Sequence, residues 1–178
     1  MTDIEKINTI FHSFETYALG DIKFLQTNGK PIAAFILCTC FIEQVSHFVY
    51  GPNGRSKDKA QDFINEYINE GKVVKYAAKD LVDILRNKLV HNYSLSDTRN
   101  PKIKRYALNY DNPKTHLHTE NNVTYVNIDC FINDIEAAIR LYKQKIVNDP
   151  ALIQNAINQF NQHGILIHRE ERLFNINY

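Results

Sequence analysis

The twenty residues from Pro31 to Tyr50, PIAAFILCTCFIEQVSHFVY, constrain this chain more than any other stretch. At helical spacing they are apolar nearly all the way round, and a helix with no polar face must be covered on every side. One stripe runs Ala34, Cys38, Phe41, Val45 and Phe48. Another runs Ile36, Cys40, Glu43, His47 and Tyr50 and carries polar groups into apolar surroundings. A carboxylate there is costly unless paired, so Glu43 is expected to find a cation, with Arg86 the first candidate and His47 the second. Glu43 and His47 also break the apolar run, and no secretory pattern precedes it. The expectation is a cytoplasmic protein with no membrane association.

Other helices should wrap this one. Thr2 and Glu5 form a capping box for a first helix over 3–26, with Ile4, Ile7, Phe11, Phe14, Ala18 and Leu25 inward. Asn28-Gly29 closes it and Pro31 opens the central helix. Gly51-Pro52-Asn53-Gly54 is a break, after which Ser56 caps a helix over 57–70 that buries Phe63, Ile64, Tyr67 and Ile68. A fourth helix is predicted over 74–91, anchored by Ala78, Leu81, Leu85 and Leu89. Asp129 can cap a helix to Val147, and Asp149-Pro150 opens a last one that Gly164 ends.

Between residues 94 and 127 turn residues cluster, and the runs between them read as strands. Lys104 to Tyr110 is one. Thr115–Thr119 and Val123–Ile128 flank Glu120-Asn121-Asn122 as a hairpin. Two or three strands cannot stand alone, so 104–128 is read as a β-hairpin insertion within one domain spanning 1–178. The tail alternates weakly, as at Ile165 and Ile167, which fits a strand pairing with the hairpin or an arm reaching a partner subunit.

Composition narrows the function classes. The formal charge is +1, so the chain lacks the basic excess of a general nucleic-acid coat, and RNA contact would need a local patch. Residues 99–114 supply one: Arg99, Lys102, Lys104, Arg105 and Lys114 face only Asp97 and Asp111, with Tyr106 and Tyr110 interleaved to stack bases. The plainer reading is a solvated hairpin. Cys38, Cys40 and Cys130 fit no zinc or disulfide pattern and read as reduced core thiols. His116 and His118 would share a face of a strand, but no third ligand accompanies them in sequence, so neither a metal nor another cofactor is expected.

The stretch LVDILRNKLVHNY, Leu81 to Tyr93, carries Arg86, Asn87, His91 and Tyr93. Arginine, asparagine, three residues, histidine, a spacer and tyrosine resemble the active-site signature of HEPN-family domains. That resemblance implies a mainly α, antiparallel helical bundle, many of whose members are metal-independent ribonucleases. The residue types suit such chemistry. His91 titrates near neutrality and can exchange a proton with a ribose 2′-hydroxyl or a leaving oxygen. Arg86 is a planar cation for phosphate, Asn87 stands four residues from His91 and can fix its tautomer, and Tyr93 can donate to phosphate or stack.

Spacing adds a constraint. Arg86 and His91 lie about 140° apart around an ideal helix, so uniting them needs a loosened helix or a second copy of the chain. The HEPN likeness implies the second arrangement, a cleft between the subunits of a homodimer. The histidine-spacer-tyrosine ending further resembles toxins paired with an MNT-type nucleotidyltransferase antitoxin that modifies the tyrosine. Plainer roles stand beside these: His91 can cap a helix end, Arg86 can neutralise a buried carboxylate, and Tyr93 can be a half-buried core ring. Three readings follow: an endoribonuclease acting on single-stranded RNA, with Glu43, His47, Lys102, Lys104 and Arg105 on the substrate; an RNA- or nucleotide-binding module; or a dimerisation scaffold.

Overall fold

Thr2 and Glu5 start the first helix reciprocally, the Thr2 hydroxyl accepting from the Glu5 N–H at 3.2 Å and the Glu5 carboxylate from the Thr2 N–H at 2.7 Å. The computed structural model describes residues 1–84, 89, 105–109 and 111–165, with the backbone alone at Arg105. Over these the protein is mainly helical, with one small three-stranded sheet.

The first rod has three pieces: α1 (Asp3–His12), a π-helical turn (Ser13–Ala18) and α2 (Leu19–Thr27). The wider turn adds a residue to the rod. The buried positions therefore run Phe11, Phe14, Leu19 and Ile22, with a step of five where a regular helix would have buried Ala18. Ile4, expected inward, is 75 % exposed.

The predicted central helix is α3 (Pro31–Tyr50), packed against α2 and, further along the chain, against α4 (Ser56–Phe63), α6 (Ile128–Ile146) and α7 (Pro150–His163). Among the described residues it alone is long and apolar enough to cross a membrane, and 56 % of that apolar window is buried within the fold. Phe14 meets Phe41 and Phe48 edge-on, with centroids 5.5 and 5.3 Å away, and Phe35 stacks on Phe131 at 5.8 Å. These contacts fix polarity. Phe131, at the start of α6, sits by the N-terminal part of α3, whereas Tyr142, further along α6, donates to the carbonyl of Phe48.

A second π-helical turn (Ile64–Ile68) extends α4 and buries Phe63, Ile64, Tyr67 and Ile68 as their spacing requires. Its beginning differs from expectation. Arg55 occupies the N-cap, its side chain bonded to Asp58 and not to a helix N–H, and Ser56 lies inside the helix with its hydroxyl turned toward His47. Helix α5 (Ala78–Val82) begins four residues later than predicted. The reason is Asn69, whose buried amide donates to the Tyr76 carbonyl and accepts the Tyr76 N–H, at 3.0 and 2.8 Å, holding the approach in a loop.

The sheet comprises β1 (Arg105–Asn109), β2 (Thr119–Glu120) and β3 (Val123–Asn127), in the order β1-β3-β2. β2 and β3 form the expected hairpin, with Asn121 and Asn122 both at positive φ as a tight two-residue turn demands. β1 joins parallel to β3, returning over about a dozen residues, near the minimum for a parallel pair. Residues 115–118 are not a strand. Pro113 opens a 3₁₀ turn capped by Asn112, and Leu117 takes φ 60°, which reverses the chain. Asn127, rather than Asp129, caps α6, its side chain accepting from the Cys130 N–H at 3.1 Å, while Asp149 caps α7 as predicted.

The C-terminal end of α3 lies inside the protein, where its last carbonyls lack helical partners and are largely cut off from water. Side chains of the helices packed on it supply donors. Tyr142 serves Phe48 at 3.1 Å, Asn155 serves Val49 at 2.9 Å, and the Lys59 ammonium serves Gly51. Gly51 turns the chain at φ 78°, and a Cβ there would meet Asn155 Oδ1 at 3.0 Å. Gly51→Ala should therefore lower stability by more than about 1 kcal/mol, combining a left-handed backbone with a displaced Asn155. Urea unfolding of the variant should show the midpoint falling with an unchanged slope.

Candidate functional site

Two polar clusters are built from the described residues, and neither is the predicted signature. Arg86, Asn87, His91 and Tyr93 lie outside the described residues, as do Lys102 and Lys104, and the Arg105 side chain is not described. The core does bracket the signature: Leu81 and Ile84 before it, and Leu89 within it, are buried. Glu43 is half-buried on α3, one turn before His47. Tyr106, expected to stack on bases, is 5 % exposed on β1 and belongs to the core, so that part of the proposed RNA surface is corrected.

The first cluster lies at the C-terminal end of α3. His47 Nε2 is 2.9 Å from Ser56 Oγ, and His47 Nδ1 is 3.1 Å from the Lys59 ammonium. A serine beside a histidine has the outline of a nucleophile with its base, but protonation decides the matter. An ammonium can only donate, so with Lys59 charged Nδ1 must accept, and the ring proton sits on Nε2 pointing at Ser56. His47 then donates to the hydroxyl and cannot take its proton. The arrangement is a clamp, and with both ring nitrogens engaged His47 has none left for Glu43.

Lys59 is 5 % exposed, an unusual burial for a lysine, and burial lowers its pKa. Its compensation is the negative end of α3: the ammonium faces the Gly51 carbonyl just past the last turn, where the helix dipole favours a cation. Burial, then the charge of Lys59 and the proximity of His163, holds the His47 imidazole below its ordinary value. Sequence inspection missed Lys59. The available signal was its position four residues before Phe63, on the inward stripe of α4.

The second cluster joins three distant parts of the chain. The Asn127 N–H donates to His116 Nδ1 at 3.1 Å, so the neutral ring carries its proton on Nε2, 2.8 Å from the Tyr76 oxygen. The Tyr76 hydroxyl in turn donates to Asp134 Oδ2 at 2.6 Å, and Lys72 pairs with the other carboxylate oxygen. Burial alone would raise the Asp134 carboxyl; hydrogen bonds from His116, Lys72 and Tyr76 outweigh it and hold the group below the usual carboxylate range. Burial, then Asp134, pushes the Tyr76 phenol well above its ordinary value, so it remains a donor.

The His116 ring proton and the Tyr76 hydroxyl proton both have acceptors within the network, which is the pattern of a structural tie. His116 and His118 do not share a face: His116 turns into the network and His118 is exposed. No group of three histidine, cysteine, aspartate or glutamate side chains among the described residues could hold a metal ion. Cys38 is buried and Cys130 partly so, as core thiols would be, whereas Cys40 is exposed; all three are free thiols.

Compared with known protein families, characterised proteins and solved structures, the chain matches none.

Because the folded His47 ring has a depressed pKa, the unfolded chain takes up that proton first as pH falls. The contribution is complete above the ordinary histidine value of about 6.5 and is lost progressively below it. Melting temperatures measured from about pH 7.5 down to about pH 5.5 should therefore fall, and His47→Gln should flatten that slope. Tyr76→Phe removes the hydroxyl that joins Asp134 to His116 and should cost about 1–3 kcal/mol in chemical denaturation.

Proposed function

We propose that this protein is a HEPN-like, metal-independent endoribonuclease acting as a homodimer on single-stranded RNA. One observation carries the reading: Arg86, Asn87, His91 and Tyr93 occur together at the spacing of the HEPN signature. A mainly helical architecture and the burial of Leu81, Ile84 and Leu89 around that stretch are what such a domain requires.

His91 moves the proton. As it withdraws hydrogen from a ribose 2′-hydroxyl, the 2′-oxygen bonds to phosphorus and the bond to the 5′-oxygen breaks. The 5′-oxygen leaves with a proton and the product keeps a 2′,3′-cyclic phosphate. Arg86 offsets the charge gathering on the phosphoryl oxygens, Asn87 orients the imidazole, and Tyr93 donates to phosphate or stacks on a base. Since Arg86 and His91 diverge around a regular helix, each cleft draws on two chains across a dyad. Lys102, Lys104 and Arg105, in the basic run after the signature, are the cations assigned to follow the RNA backbone. With Tyr106 in the core, stacking falls to Tyr93 and Tyr110. A toxin or defence role in the cytoplasm, with a nucleotidyltransferase partner that modifies Tyr93, belongs to the same reading.

Purified protein in EDTA should cut single-stranded RNA and leave 2′,3′-cyclic ends, with His91→Ala slowing cleavage by roughly 10²–10⁴. Sedimentation should give a dimer. Intact RNA at high protein excess would overturn catalysis, and RNA bound but uncut would assign the chain to the binding modules instead.

A further inference from the structure

The first rod and α3 leave an open-sided groove between them, with a cavity of about 340 Å³. Its walls are mostly apolar, including Tyr17, Ile22, Leu37 and Phe41, with the Asp21 carboxylate and the exposed Cys40 at its edge. It lies where the π-helical turn shifts the rod's inward face. One turn beyond Asp21, Phe24 is 65 % exposed and extends the apolar surface.

The end of α7 delivers the chain to this region. His163, in the last turn of α7, is close enough to His47 to act on its charge, and His47 is one turn of α3 from Gln44, which also lines the groove. Ile165 is still packed against the core. The sheet is at the opposite end of α3, where Phe131 stacks on Phe35, so the groove is nearer to the end of α7 than the hairpin is. Thirteen residues, 166–178, follow Ile165. From Ile165 to Phe174 an extended chain spans roughly 30 Å. The part of α3 that lines the groove, Leu37 to Gln44, is about 10 Å long.

We infer that the groove between the first rod and α3 is the docking site of the chain's own C-terminal segment, with Leu173 and Phe174 on the apolar walls and Arg172 facing Asp21. The sequence of the segment suits the site: Leu173, Phe174, Ile176 and Tyr178 supply apolar groups in a short span, and Arg172 stands directly before them. Glu170 and Glu171 make the basic residues around them no net attraction, so the match is local to Arg172 and Asp21. This inference is independent of the nuclease reading, since it uses none of the signature residues.

Cys40 gives the test a reporter in the full-length chain. Phe174→Cys, oxidised under mild conditions at low protein concentration, should form a disulfide with Cys40 within one chain, identified by peptide mapping. A bond to Cys130 would place the tail at the sheet, a bond between two chains would make the occupant a second copy, and no bond would leave the groove open; each overturns the inference. A second measurement avoids the introduced thiol. Alkylation of Cys40 in the native sequence should be roughly tenfold slower than in the full chain carrying Leu173→Asp and Phe174→Asp. Equal rates would also overturn it.

Discussion

The fold depends on how α3 ends. A helix that is apolar all round gains from complete burial, but burial strands the carbonyls of its last turn in a place that water reaches poorly. The protein answers with donors from three other helices, Tyr142 on α6, Asn155 on α7 and Lys59 on α4. These same helices pack against α3, so the polar contacts also fix how far along α3 each one sits. Apolar packing alone tolerates sliding, whereas a hydroxyl 3.1 Å from a carbonyl does not. The buried lysine fits this account. A neutral donor could satisfy Gly51, but a cation also meets the negative end of the helix, and that offsets part of its desolvation.

The second polar tie works on segments that lack regular structure. Tyr76 sits in the loop before α5, His116 in a reversed turn before β2, and Asp134 on α6, and no helical or ladder pattern brings them together. Asn69 places Tyr76, the Asn127 N–H places His116, and Lys72 completes the carboxylate. Asn127 is at once the end of β3, the cap of α6 and the donor to His116, so the sheet is joined to the helices at a residue with no exposed surface.

Much of this was legible where a physical rule acts over a few residues. Pro31 and the turn at Gly51 bound α3 as read, the Thr2–Glu5 and Asp149 caps are in place, and the Asn121-Asn122 turn makes a hairpin because both residues tolerate left-handed backbone. Failures came where a distant partner outbid the local rule. Ser56 is a good cap by composition, yet its hydroxyl bonds to His47 instead. Val74 could have begun a helix, but Asn69 holds the chain to Tyr76. The stripe of the first rod failed for a different reason: one extra residue in a π turn changes the phase of everything after it, and nothing in Ser13–Ala18 announces it. The candidate site was legible only as a signature of residue types, since its members lie outside the described residues.

These placements also redistribute the chemistry expected of α3. Its polar stripe invited the thought that Glu43 and His47 face a substrate together, but His47 has both nitrogens committed to holding α4. Releasing either one would require Lys59 or Ser56 to lose its partner in a half-buried place, which makes His47 a poor ligand for a phosphate that comes and goes. A proton on His47 would moreover sit beside the Lys59 ammonium. On the proposed nuclease reading, histidine chemistry on RNA would then rest on His91, and the cation for phosphate on Arg86 or the basic run that follows it. Position in a polar stripe is thus weak evidence for a site. A stripe on a buried helix first has to satisfy the helices packed upon it.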